Sequence, residues 1–347
     1  MVRVSLSAEI HEQPAALARL LEQQATPVRR LAASLRGRGI DFVFVAARGT
    51  SDNAGLYAKY LWGACNGLPV ALAAPSLFTS YCRPPALRHA LVVAISQSGQ
   101  SPDILAVLDE ARRQGAPSLA IVNDPASPLA RAADAVIDVC AGREEAVAAT
   151  KTYTAQLLAI AMLSAALGED DGRWAELMRV PALVEQVLGL DAAIGSSAER
   201  YRFMQHCVVL GRGYNYATAF EWALKLKELA YVIAEPYSSA DFQHGPVALV
   251  DRGFPVLAVA PGGAVFADTH ALLSRLVGEQ RVDLLVVSDR DEALALAHTP
   301  LRLPQLPEWA TPLVAIVAAQ LFCYHVTRAK GFSTEAPRGL HKVTLTR

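Results

Sequence analysis

A succession of strand, small-residue turn and helix in the first half of this 347-residue chain returns in the second half about 164 residues later. FVFVAARGTSDNAG (42–55) runs from an apolar β-branched stretch through a turn into the helical pattern LYAKYLWGA, and CVVLGRGYNYATAF (207–220) does the same. The next apolar runs, LVVAI (91–95) and PVLAV (255–259), keep that offset and lead into the turns SQSGQS and APGG. LAIVND (119–124) and LLVVSD (284–289) slip by a single residue. Three matched elements in one order predict duplication of an α/β unit about the size of one domain. Continuous apolar strands alternating with helices predict parallel sheets covered on both faces. The expected fold class is therefore α/β, with two doubly wound, flavodoxin-like sandwiches in tandem.

Four segments follow from this pattern. An N-terminal helical arm is expected over 1–38, a first α/β domain over 39–168, a helical linker over 169–198, where GEDDGRW interrupts an apolar helix, and a second domain over 199–347.

In doubly wound folds the ligand sits beyond the carboxyl ends of the strands, where helix N-termini offer N–H groups and partial positive charge. Charge bounds what that ligand is. Lys and Arg total 32 against 33 Asp and Glu, a formal net charge of -1, so no long-range field favours nucleic acid or an anionic membrane, and neither is expected as a partner. An anion must be held locally. The five cysteines (Cys65, Cys82, Cys140, Cys207, Cys323) are scattered without a C-x-x-C pair, so no disulfide framework, zinc site or other metal is expected, and a reducing cytoplasm fits. The N-terminus lacks the apolar core of a signal peptide. The apolar stretch 311–326 is shorter than the roughly 20 residues of a membrane span and predicts a buried helix.

The turn Ser96-Gln97-Ser98-Gly99-Gln100-Ser101 follows an apolar strand and precedes a helix starting near Pro102. Three hydroxyls, a glycine and a helix N-terminus in one place suit phosphate binding, although serines there also serve as ordinary helix caps. Arg48-Gly49-Thr50-Ser51 repeats the chemistry after the first strand. Neither glycine turn is a dinucleotide fingerprint. A predicted helix over 217–232 puts Glu221, Lys225 and Glu228 on one face, a pattern that by itself usually marks a solvated ion-pair stripe. His244, in HGP, lies in a polar loop, and Lys342 lies in the tail EAPRGLHKVTL. These residues alone predict a duplicated α/β protein with an anion-binding turn.

Together, RGTSDNAG, ISQSGQSPDIL, EEAVAATKTYTAQL, LGRG, ALKLKELAY, AEPYSSADFQHGP and PRGLHK resemble the sugar isomerase (SIS) family over nearly the whole chain. The resemblance is closest to the double-SIS isomerase half of glucosamine-6-phosphate synthases and to SIS-type aminosugar-phosphate deaminases. It implies that Ser51, Ser96, Gln97, Ser98 and Ser101, with Thr50 beside them, hold a sugar phosphate, and that Val147 lines the sugar pocket. It also implies that Lys342 forms a Schiff base with the open-chain sugar, Glu228 moves a proton between C1 and C2, His244 opens the ring and Lys225 supports them. An imine acidifies the neighbouring C–H, so a lysine and a carboxylate suit the reaction without metal or redox cofactor. The resemblance further implies a homodimer in which His244 reaches the neighbouring subunit's site.

Departures from the family pattern bear on the substrate. Gln100-Ser101 stands where the synthases usually carry Glu-Thr, Arg48 replaces a small residue, and His341 replaces a small residue beside Lys342, which places it at the sugar. Residue 2 is Val and the first strand begins near residue 42, so no glutaminase domain with a cysteine nucleophile is expected. The expected activity is an isomerase/deaminase interconverting glucosamine 6-phosphate, or a close hexosamine phosphate, with fructose 6-phosphate and ammonia. The alternatives are a synthase-like isomerase without its own glutaminase, a fructosamine-phosphate deglycase, and a non-catalytic sugar-phosphate sensor. A sensor is expected to lack the proton-transfer Glu or the tail Lys, and both are present.

Overall fold

A computed structural model describes residues 5–342. Its first sheet contains β1 (Phe42–Ala46), β2 (Val70–Leu72), β3 (Ala90–Ser96), β4 (Ser118–Val122) and β5 (Ala135–Asp138), all parallel, in the order β2-β1-β3-β4-β5. The second contains β6 (His206–Gly211), β7 (Ile233–Ser238), β8 (Pro255–Val259), β9 (Asp283–Ser288) and β10 (Thr299–Arg302). It too is parallel, in the order β10-β9-β8-β6-β7, which is the same topology read from the other edge. Both sheets thus have the flavodoxin-like order. The three predicted strand pairs are β1/β6, β3/β8 and β4/β9. The structure adds β2/β7 and β5/β10, which lie at sheet edges, are short or carry Pro236, and lack the continuous apolar run of an interior strand.

Contacts group the described residues into two compact units that do not follow chain order. One holds the first sheet, from Glu12–Glu144 and Ala149–Pro181, and also takes the tail from His341. The other holds the second sheet, from Ala182–Leu340, with Glu145–Ala148 and the start of the chain up to His11. The N-terminal arm is therefore not separate. Its long helix, Gln13–Leu35, buries Leu17, Leu20, Leu21 and Val28 within the first-sheet unit. There it packs on the helix Lys151–Leu167, with Thr154 Oγ1 donating to Gln13 Oε1 at 2.8 Å. His341 and Lys342 likewise group with the first-sheet unit.

Local signals explain the helices that border the site. Pro102–Gln114 starts with Pro102 and Asp103, ends with Arg112, Arg113 and a left-handed Gly115, and presents Ile104, Val107 and Leu108 to β3 and β4. Each of those three side chains contributes about 1.5–3 kcal/mol through burial. In the second-sheet unit Val208, Leu210, Val256, Val286, Leu272 and Leu276 form the corresponding layer. The helix Pro312–Ala329 is long and apolar enough by length and composition to cross a membrane, but it is 78% buried, as expected for 311–326.

Candidate active site

A sheet of this order opens a crevice beyond the carboxyl ends of its first and third strands, where the chain turns to opposite faces. In the first-sheet unit that place lies beyond β1 and β3, neighbours paired from Phe42 with Ala90 to Ala46 with Ala94. Two turns meet there. After β1, Gly49 adopts φ +55° and ψ −128°, a conformation suited to glycine, and the helix Thr50–Asn66 begins with Thr50 and Ser51. Ser51 is buried, and its Oγ accepts from Gln156 Nε2 at 3.0 Å. After β3, Gln97, Ser98, Gly99 and Gln100 form the turn and Ser101 precedes the next helix. Ser96 Oγ accepts the Gly99 N–H at 3.0 Å, and Ser98 Oγ accepts the Gln100 N–H at 3.4 Å.

The simple capping alternative does not describe Ser101. Ser101 makes no side-chain capping bond, and the Ile104 N–H is taken by Asp103 Oδ1 at 2.9 Å. Arg48 Nε donates to Asp103 Oδ2 at 2.8 Å and ties the two turns together, with Arg48 half exposed and Asp103 buried. Burial pushes the nearby Asp52 carboxyl above its usual range, against the opposing pull of Arg48.

Gly99 is the residue on which the shape of this turn depends. Its φ is +63°, and a Cβ there would stand 2.1 Å from Ser127 Oγ, which itself accepts the Ala130 N–H. Gly99→Ala is therefore expected to lower stability by about 1–3 kcal/mol and to weaken phosphate binding. Urea midpoints and phosphate titrations of the variant check this. Wild-type values in both would show that the turn does not need glycine.

The same unit holds His341 and Lys342, the last two residues described. Lys342 Nζ donates to Glu144 Oε2 at 2.7 Å, with the lysine side chain 23% exposed and the carboxylate fully buried. Glu144 also accepts the N–H groups of Thr150 (2.9 Å) and Thr152 (3.1 Å) and the Thr152 hydroxyl (2.8 Å). It is thus a satisfied anion on the N-terminus of Lys151–Leu167 that also seats an amine. His341 is exposed.

The second-sheet unit supplies a buried cation between two carboxylates. The helix Tyr216–Lys225 passes into a π-turn at Leu226–Ala230 that ends on a left-handed Tyr231. The predicted helix 217–232 is therefore broken at Lys225, and the wider turn sets the position of Glu228. Lys225 Nζ lies 2.5 Å from Glu228 Oε2 and 3.3 Å from Glu221 Oε1. Lys225 and Glu221 are buried and Glu228 is 23% exposed, so this cluster belongs to the interior and is not the solvated stripe that its spacing alone would suggest. Burial alone pushes the Lys225 ammonium down in pKa, but Glu221 and Glu228 more than offset it, and the group titrates above an ordinary lysine. A lysine so held keeps its proton more tightly than an exposed lysine does, and it pairs directly with Glu228.

Val147 and His244 belong to this unit as well. Val147 is half-buried in a segment held by Glu9, which accepts the N–H groups of Glu145 (2.5 Å) and Ala146 (3.2 Å). His244 is exposed, between the short turn Asp241–Gln243 and Gly245 at φ +127°.

The structure therefore gathers Thr50, Ser51, Ser96, Gln97, Ser98 and Ser101 in the turns beyond two neighbouring strands. It seats Lys342 on Glu144 in the same unit and pairs Lys225 with Glu228 in the other. Sequence reasoning did not single out Glu144. It lies within the EEAVAATKT motif, but six residues ahead of Thr150, outside the three-residue spacing of a capping box.

Comparison with known proteins identifies the family of the chain. The SIS domain family profile matches residues 40–166 and 204–328. The glutamine–fructose-6-phosphate aminotransferase [isomerizing] of Thermus thermophilus is 36% identical over 349 residues, covering 96% of this chain and 57% of that protein. The chain thus spans little more than half the length of this curated relative. Among solved structures, a protein of Silicibacter pomeroyi DSS-3 described as a candidate phosphosugar isomerase is 36% identical with a TM-score of 0.85, covering 95% of this chain and 99% of the other. The C-terminal domain of glucosamine-fructose-6-phosphate aminotransferase from Francisella tularensis is 31% identical with a TM-score of 0.87, covering 96% and 98%.

Proposed function

This chain belongs to the SIS domain family, and from that premise we propose that it is an aminosugar-phosphate isomerase/deaminase acting on glucosamine 6-phosphate or a close hexosamine phosphate. The observation that carries the reading is the pairing, within one compact unit, of hydroxyl-bearing turns at neighbouring strand ends with an amine seated on a buried carboxylate, Lys342 on Glu144. A phosphate cradle and an amine are the two groups that hold an open-chain sugar phosphate and form an imine with it. The hydroxyls of Thr50, Ser51, Ser96, Ser98 and Ser101, with Gln97, hold the phosphate, and Val147 and His341 border the sugar.

In the deaminating direction His244, contributed by the partner copy of a homodimer, moves the proton that opens the sugar ring. Glu228 removes the proton from C2 of the open-chain 2-amino aldose and returns it to C1, which leaves a C2 imine of the ketose. Lys342 adds to that carbon and ammonia leaves. Water then hydrolyses the lysyl imine to the ketone of fructose 6-phosphate and frees the amine. Lys225 stays protonated throughout and fixes Glu228.

Purified protein is to be incubated separately with glucosamine 6-phosphate, galactosamine 6-phosphate and fructoselysine 6-phosphate, with ammonium and free lysine measured. Ammonium release from a hexosamine phosphate is the expected result. Lysine release from the third substrate alone would move the assignment to a deglycase. Binding of all three without turnover would leave a sugar-phosphate sensor.

A further inference from the structure

The duplication gives the second-sheet unit a strand-end crevice of its own, beyond β6 and β8, and its contents differ from those of the first. Gly213 stands 164 residues after Gly49, and Gly263 stands 164 after Gly99. All four glycines have positive φ: +55° and +63° in the first unit, +60° and +156° in the second. The cross-brace is also repeated. Arg212 pairs with Asp268 at 3.0 Å as Arg48 pairs with Asp103 at 2.8 Å.

The aliphatic hydroxyls are not repeated. At the same offset, Thr50, Ser51, Ser96, Ser98 and Ser101 become Tyr214, Asn215, Ala260, Gly262 and Val265. A carboxylate lies against the two glycines instead. Glu308 Oε2 accepts the Ala264 N–H at 2.7 Å. A Cβ on Gly263 would stand 2.2 Å from that oxygen, and one on Gly213 would stand 3.7 Å from Oε1. The adjacent Gly262 N–H donates to Asp289 Oδ1 at 2.7 Å, so consecutive parts of this turn present their N–H groups to anions. Glu308 is itself 164 residues after Glu144. In the first unit that glutamate bonds to Thr150, Thr152 and Lys342, whereas in the second its counterpart reaches into the turn.

We propose that the second crevice is a small-oxyanion site, for a carboxylate or phosphate monoester group, whose resident ligand is the chain's own Glu308 side chain. The turn has the glycines without the aliphatic hydroxyls, and the Glu308 carboxylate takes its Ala264 N–H. The fold therefore has two anion crevices per chain, one open and one closed from within.

The test removes the internal ligand and supplies a free one. Glu308→Ala and Glu308→Gln are compared with wild type in thermal unfolding, titrated with sodium acetate, inorganic phosphate and, at matched ionic strength, sodium chloride. Glu308→Ala is expected to melt below wild type, and acetate or phosphate should raise its Tm saturably by about 2–4 °C beyond the chloride response. Wild type should lack the acetate-specific rise, and so should Glu308→Gln, whose amide still fills the space. The proposal is overturned if the alanine variant responds to acetate and phosphate as wild type does, or if the glutamine variant responds as strongly as the alanine variant. Should the alanine variant be unfolded in buffer, refolding by acetate or phosphate but not chloride supports the proposal, and failure of every anion to refold it overturns it. The readout is folding, so it is independent of whether the first crevice takes a sugar phosphate.

Discussion

Lys342→Ala is expected to lose hexosamine-phosphate turnover by on the order of 10³-fold or more while still binding sugar phosphate, because the amine that forms the imine is gone and the hydroxyl turns remain. Borohydride added with fructose 6-phosphate should trap the sugar on wild type, and peptide mass mapping should place the adduct at Lys342. Glu228→Gln separates the two chemical roles. It should cost about 10²–10⁴-fold in turnover, the usual contribution of a general acid–base group, yet leave trapping on Lys342 intact. Full activity in Lys342→Ala, or an adduct on another lysine, would remove the imine assignment. The lysine is suited to the role by where it rests: Glu144 is saturated with three further hydrogen bonds and keeps its place when the amine leaves to meet a carbonyl.

Lys225→Met is expected to lower the free energy of unfolding by about 3–5 kcal/mol, since it takes away the buried cation that lies 3.3 Å from the buried Glu221 carboxylate. Lys225→Met combined with Glu221→Gln should recover part of the loss by removing the stranded charge as well. The pH dependence has a definite sign. The folded state holds the Lys225 proton more tightly than the unfolded chain does. Its contribution is therefore complete below the ordinary lysine pKa of about 10.4 and is lost as pH rises through the folded value. Denaturant titrations between neutral and alkaline pH should show wild type losing stability faster than the methionine variant above about pH 10.4. A single variant within about 1 kcal/mol of wild type would show that the cluster relaxes to solvent instead of staying buried.

Much of this fold is legible along the chain because the signals involved are local. The interior strands β1, β3, β4, β6, β8 and β9 are continuous apolar runs that cannot sit in water, and their spacing exposes the duplication. The hydroxyl turns after β1 and β3 are equally visible, since doubly wound topology makes strand-end turns the place where ligands bind. The edge strands are less visible. Val70–Leu72 has three residues, none fully buried, and Ile233–Ser238 contains Pro236, so neither carries the pattern of an interior strand.

Charged residues mark the other limit. Glu221, Lys225 and Glu228 read as a solvated stripe because helical spacing places them on one face without saying what that face meets. Glu144 and Glu308 carry no local signal for their partners: Glu144 is one of an adjacent pair with Glu145, and Glu308 stands alone between a strand and a helix. The sequence by itself determined two α/β units with the same strand succession and the hydroxyl-bearing turns after β1 and β3, because hydrophobic periodicity and turn composition act over a few residues, while the lysine and glutamate came from family resemblance. Only the tertiary structure decided which charges are buried and whom they meet, that Lys225 is enclosed by two carboxylates, that Lys342 rests on Glu144, and that Glu308 closes the second crevice. Those outcomes depend on desolvation and on partners brought together from distant parts of the chain, and neither is written in any local stretch of residues.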